Sequence, residues 1–269
     1  MPNFLSWLAA LFYAISAVYF YLIFFLKKDK THTLAFLFLL LGLVTHGLDI
    51  TVFGLDHHRF PASNFVEAFS LLTCLMILLF SVFVRKKDRP ASGIFLVPIT
   101  IISAVLAALF RSDHHLDPVL QGGWVNIHVP LMILSVACLG ISFLMAVFYL
   151  LQEKQLKSKN PAFFSYRLPS LEICEELSYR SLWIGFFLLT IGILTGMIWF
   201  KHLLGVYWNW DPKETWSLIS WGLYAVLIHG RLLSAWRGRK AAYLSIAGFV
   251  LILFAFAGAS LISKGYHTF

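Results

Sequence analysis

The chain has 269 residues, 59% of them hydrophobic and 13% charged, with a formal net charge of +8 and a mean hydropathy of +0.80. A soluble domain carries about twice that charged fraction, so the composition excludes a soluble enzyme. It points instead to an all-α polytopic membrane bundle in which 1–269 is a single integral-membrane domain.

Eight spans can be drawn in chain order. The first, about 5–26, is longer than a signal-peptide core and has no basic flank before it or clear cleavage site after it, so it reads as a retained helix. Lys27, Lys28 and Lys30 follow it. The second span, about 33–54, contains His46 and Asp49 and leads to an outer loop, 55–63, with Asp56-His57-His58. The third, about 64–84, ends at Arg85, Lys86, Lys87 and Arg89. The fourth, about 92–110, leads to a second Asp-His-His at Asp113–His115. Either Asp-His-His can capture a metal ion, although polar loop tips are commonplace.

The fifth span, about 125–151, opens with Trp124 and His128, four apart on one helix face. The connection 152–180 is the longest; it reads as a plain connector, or as a short surface helix after Pro169. The sixth, seventh and eighth spans cover about 181–203, 213–234 and 241–263. The basic clusters fall in every second loop, a signature of topology that argues against nucleic-acid binding and places both termini on the outer side. Cys74, Cys138 and Cys174 form no CxxC pair and read as packing residues.

The outer connection 204–212 and the start of the seventh span carry the most informative segment, Gly205–Trp221. Tyr207, Trp208, Trp210, Trp216 and Trp221 lie there around Asp211-Pro212-Lys213-Glu214. Interfacial belts collect such aromatics, but a belt does not explain the polar tetrapeptide. Asp211 can cap a helix that begins at Pro212, with Glu214 completing a capping box. The indoles before the cap then stand on a short loop, as a shelf suited to a large planar ligand.

The histidines fall at two depths. His46 and His229 lie within spans, whereas His128 and His267 lie at the outer ends of theirs. Intramembrane ionisable groups default to a functional hypothesis, with packing as the competitor. His128 and His267 can supply two axial imidazoles to one iron, with Trp208 and Trp210 against the ring. His46 and His229 can serve a second haem, although they lie ~12 and ~20 Å from the outer ends of their spans; a ligand from a partner subunit serves equally. Lys213 can pair with a propionate or simply sit at the interface. The absence of CxxCH excludes a c-type cytochrome.

The stretch YWNWDPKETWSLISW resembles the tryptophan-rich WWD signature of the haem-handling cytochrome c assembly family, in particular the CcsA (ResC) branch of the system II haem lyase. HRFPASNFVEAFSLL at 58–72, WVNIHVPLMILSVACL at 124–139, WSLISWGLYAVLIHGRL and the tail GYHTF extend the likeness over most of the chain. Leu204 stands where many members have Trp, and Thr268-Phe269 replaces Ser-Tyr. The resemblance implies haem b held as bound substrate between His128 and His267 over the WWD segment, with a transmembrane haem site that includes His229. It also implies a CcsB/ResB-type partner, apocytochrome c as client, and residence in the cell inner (cytoplasmic) membrane with the haem site facing outward. A HemX-like adaptor or regulator of haem synthesis is the alternative. An ion or metal transporter would need more polar residues in the spans than Asp49, Glu67 and the two histidines.

Overall fold

A computed structural model describes residues 4–26, 31–83, 93–111, 125–158, 168–233 and 236–258. Eight helices account for nearly all of them: α1 (Phe4–Leu26), α2 (His32–Asp56), α3 (Phe65–Phe83), α4 (Gly93–Phe110), α5 (Val125–Lys157), α6 (Leu171–Leu204), α7 (Pro212–Leu233) and α8 (Arg239–Leu253). A π-helical turn, Phe254–Gly258, continues α8. There is no strand among the described residues. Seven of the eight helices are long and apolar enough to cross a membrane. The exception is α7, whose sequence includes Lys213, Glu214, His229 and Arg231.

The described parts of the predicted connector, 152–158 and 168–180, are largely helical. α5 runs on to Lys157, and the expected surface helix after Pro169 is the opening of α6, a single helix of 34 residues. No Gly or Pro interrupts 171–184, so nothing ends the helix there. Lys27–Lys30, Arg85–Arg89, Asp113–His115, Trp124 and His267 lie outside the described residues.

The helices group into two compact units. In the first, α1 packs on α2 and α4, and α3 packs on α2 and α4, which closes a ring of four. Lipid tails are as apolar as the side chains, so helices associate in a bilayer through close packing and hydrogen bonds. Small residues make that approach possible here: a Cβ on Gly42 would stand 2.6 Å from the Tyr13 ring, and one on Gly93 would stand 2.5 Å from Phe20. The Ser16 hydroxyl donates to the Ala35 carbonyl at 2.9 Å, and Thr73 Oγ1 donates to Ser103 at 2.8 Å.

One end of this unit is strongly polar. Asn64 caps α3, accepting the Glu67 N–H at 2.9 Å, while the Glu67 carboxylate reaches back to the Ser63 N–H at 2.9 Å. The same carboxylate takes both nitrogens of the Arg59 fork at 2.7 Å. Arg111 donates to Asp49 at 2.8 Å. Both guanidiniums lie over the Phe53 ring, at 5.2 Å for Arg59 and 4.7 Å for Arg111.

The second unit contains α5 as far as Leu151, then α6, α7 and α8. α5 and α6 are antiparallel and meet on rungs seven residues apart along each helix. His128 contacts Gly192, the Ser135 hydroxyl donates to the Gly185 carbonyl at 2.8 Å, and Ser142 and Ser178 share a hydrogen bond of 3.1 Å. Such a period belongs to helices that pack along a continuous seam. α7 returns antiparallel along α6: Trp221 Nε1 donates to Thr190 at 2.9 Å, and Arg231 lies over Tyr179 at 4.8 Å. α8 packs back on α7, with Trp216 against Phe254 at 4.8 Å and Gly248 against Tyr224.

Candidate functional site

α6 ends at Gly205, whose φ of 75° lies in the left-handed region that favours glycine. Lys201 secures this end. Its Nζ donates to the Gly205 carbonyl at 2.8 Å and lies 5.0 Å from the Tyr207 ring centre. α7 then starts at Pro212. Asp211 caps it, as its Oδ1 accepts the Lys213 N–H at 2.8 Å. Glu214 reaches past the capping residue to the Asn209 N–H at 3.0 Å, a longer clasp than the predicted box.

The seven residues between the two helices carry the aromatic shelf. Tyr207 is 56% exposed and Trp210 71% exposed. Trp208 and Trp210 stand edge to face, with ring centres 6.1 Å apart. Trp210 has φ 57°, a conformation that costs an L residue ~1–2 kcal/mol. The Trp208 indole N–H is buried and lacks a hydrogen-bond partner among the described residues. Asp211, by contrast, is buried. Cap geometry thus separates the roles: Asp211 turns inward to hold the helix end while Tyr207 and Trp210 turn outward.

His128 is partly buried against α6. Its Nδ1 lies 2.8 Å from the Gly192 carbonyl and 3.4 Å from Thr195 Oγ1. Its ring stacks on Trp199, with centres 6.4 Å apart. A carbonyl only accepts, so Nδ1 carries the proton and the neutral ring has its lone pair on Nε2. His229 has the same arrangement, with Nδ1 2.8 Å from the Ala225 carbonyl, and it is exposed on α7. His46 is fully buried. Its Nε2 meets Ser70 Oγ at 2.8 Å and its Nδ1 meets the Tyr13 hydroxyl at 3.4 Å.

α6 gives these groups a common scale. His128 sits at the level of Gly192–Gly196, ~15 Å along the helix from Gly205 at 1.5 Å per residue. Trp221 meets Thr190, and His229 follows Trp221 by eight residues, or ~12 Å further from the loop. The order from the loop inward is therefore aromatic shelf, Trp199, His128, Trp221 and His229.

A family model described as "Cytochrome C assembly protein" matches residues 34–267. The chain belongs to the cytochrome c assembly protein family. A relative named "Cytochrome c biogenesis protein CcsA" from Guillardia theta is 34% identical over 230 residues, covering 78% of this chain and 76% of that one. One of the same name from Prochlorococcus marinus (strain NATL1A) is 34% identical over 244 residues, with the same coverage of 78% and 76%. A solved structure, "Cytochrome c Heme Lyase CcmF", superposes with a TM-score of 0.62 at 19% identity, over 97% of this chain. The chain spans 46% of that longer protein, and at this identity the likeness shows the fold.

This cytochrome c assembly protein is thus a CcsA-type multi-pass membrane protein of cytochrome c biogenesis. Its site has features that the sequence reading passed over. Gly192, Thr195 and Gly196 form the face against which His128 lies, and Trp199 stacks on it. The available signal was the small-residue spacing of Gly185, Gly192 and Gly196 in α6, the kind that marks close helix contact. There is no cluster of three or more His, Cys, Asp or Glu fit for a metal ion among the described residues, Asp56–His58 included.

Proposed function

We propose that this cytochrome c assembly protein presents haem b, as bound substrate, at the outer face of the inner membrane for attachment to apocytochrome c. It acts as one membrane domain together with a CcsB/ResB-type partner. The attachment adds a client cysteine S–H across a haem vinyl group. A carbon–sulfur bond forms, the proton goes to the other vinyl carbon, and no net oxidation occurs. The chain's own contribution is to hold the ring in place and to leave the iron exchangeable to the client's ligand.

The observation that carries this reading is the rigidly capped loop whose Tyr207 and Trp210 face outward. A membrane interface also collects aromatics, but a shelf held by the Asp211 cap suits a flat partner. His128 supplies an axial nitrogen through Nε2, and His267 the second. His229, exposed and in the same tautomer, supplies one ligand of a membrane site, whose other ligand comes from the partner. His46 has both ring nitrogens engaged, so in this reading it packs unit one. The complete Trp-rich loop favours haem delivery over a HemX-like adaptor.

The test is purification of the full chain with and without its co-expressed partner, followed by absorption spectra and haem stoichiometry. His128→Gly and His267→Gly should each impair cytochrome c maturation, with partial recovery on adding imidazole to the open axial position. Normal maturation by both variants without imidazole would rule out the outer ligation.

A further inference from the structure

Outside the aromatic loop, three places bring several polar groups together. The Asp49–Arg111 and Arg59–Glu67 pairs neutralise each other's charge. The small cavity lined by Tyr149, Glu175, Ser178 and Arg231 has room for about one water molecule. The contact surface of His128 on α6 is the candidate that reaches function.

We infer that Gly196 is a positioning residue for the outer haem: its missing side chain lets the His128 ring dock on α6, where the Gly192 carbonyl fixes the Nδ1–H tautomer and so leaves the lone pair on Nε2. This rests on the reading of His128 as a haem ligand. Four observations carry it. A Cβ on Gly196 would come within 2.9 Å of His128 Cε1, closer than real Cβ atoms approach, and within a tight 3.2 Å of Nδ1. The Gly192 carbonyl accepts from Nδ1 at 2.8 Å. Thr195 Oγ1 donates to that same carbonyl at 2.9 Å and lies 3.4 Å from Nδ1, so its lone pairs also face the ring N–H. Trp199 stacks on the ring from the side toward the loop. Backbone, hydroxyl and indole thus restrain the ring in position, tautomer and tilt.

An acceptor on the distal nitrogen of a ligating imidazole orients the ring and raises its basicity. A backbone carbonyl serves well because no rotamer can withdraw it. Glycine at 196 lets the ring reach that carbonyl without a clash. A methyl there meets the ring itself, and the ring must move by several tenths of an ångström, away from its acceptor.

The experiment uses the full chain co-expressed with its partner and compares Gly196→Ala with Gly185→Ala. The second is a control on the same α5–α6 seam: its Cβ would meet Leu139 at 2.7 Å and leave His128 untouched. Gly196→Ala should lose outer-site haem and maturation to the level of His128→Gly, and added imidazole should restore part of both. Gly185→Ala should lower thermal stability without any response to imidazole. Nitrogen-15 spectra of histidine-labelled, haem-free wild type should show His128 as the Nδ1–H tautomer. That reading needs no variant to fold.

An Nε2–H tautomer in the wild type overturns the inference, as does a Gly196→Ala loss that imidazole leaves unchanged. Failure of the underlying ligand assignment has a different signature. His128→Gly then keeps its outer haem, while His128 in the wild type still shows the Nδ1–H tautomer.

Discussion

Asp49 and Arg111 meet at 2.8 Å with side chains only 3% and 5% exposed, although 62 residues separate them in the chain. The Arg111 fork also reaches Ser70 at 3.4 Å, and Ser70 in turn holds His46. This pair ties the end of α4 to α2 and, through Ser70, to α3. Removing one partner leaves the other charged and buried, at a cost of roughly 3–5 kcal/mol. Asp49→Asn should therefore lower the melting temperature of the detergent-purified chain sharply. Asp49→Leu combined with Arg111→Met should recover most of that loss. A double variant no more stable than the single one would show that the pair contributes more than mutual neutralisation.

The histidines of α2 and α7 should respond in opposite ways. His46 is fully buried and bonded on both nitrogens. His46→Ala leaves a cavity, removes a partner from Ser70 and strands the Tyr13 hydroxyl, and should destabilise the fold by roughly 2–3 kcal/mol. His229 is exposed and, among the described residues, bonded only to its own helix, so His229→Ala should change stability by less than about 0.5 kcal/mol. Haem content per chain should follow the reverse order, falling more in His229→Ala. Equal haem in wild type and His229→Ala would remove the membrane site from the proposal.

Trp210 offers a separation of strain from recognition. Its φ of 57° disfavours any residue with a Cβ by ~1–2 kcal/mol, while glycine adopts it freely. Trp210→Gly should hold or raise the melting temperature, and Trp210→Ala should keep the strain without the ring. Both should reduce retained haem, and imidazole should not restore it, because the loss is of contact area rather than of a ligand. Full haem retention in Trp210→Gly would deny the indole a place in binding.

Asp211 can be tested as a cap. Its Oδ1 accepts the Lys213 N–H, a contact that Asn reproduces and Ala does not, at a cost of about 1 kcal/mol. Asp211→Asn should mature cytochrome c nearly as the wild type does, and Asp211→Ala should be impaired in parallel with its stability. A severe defect in Asp211→Asn with normal stability would assign the carboxylate a role that depends on its charge.

The eight helices, seven of them fit to cross a membrane, were legible because apolar runs are properties of contiguous sequence. Predicted and observed helix ends agree within a few residues from α1 to α4. The Asp211 cap and the Pro212 start were legible for the same reason, as capping is local. The polarity of Glu172, Glu175, Glu176 and Arg180 allowed a short surface helix, but its continuity with α6 was missed because these charged residues break the apolar run by which a span is recognised. The Asp49–Arg111 pair could not be read, since Arg111 looked like the first residue of an outer loop and its partner is remote. The bed of His128 was hidden differently. Gly192 and Gly196 act through what they lack, and a missing side chain marks a contact only when the opposing helix is known.

The seven-residue spacing along α5 and α6 also sets which length changes the chain can absorb. Inserting one residue between His128 and Ser142 would turn everything before it by about 100° around α5. The imidazole would then leave its carbonyl even though every side chain was still present. Insertion of two whole turns would restore the facing pattern but lift His128 by ~10 Å, past Trp199. Divergence within this pair of helices is thus confined to substitution, and variation in length has room only in the connections.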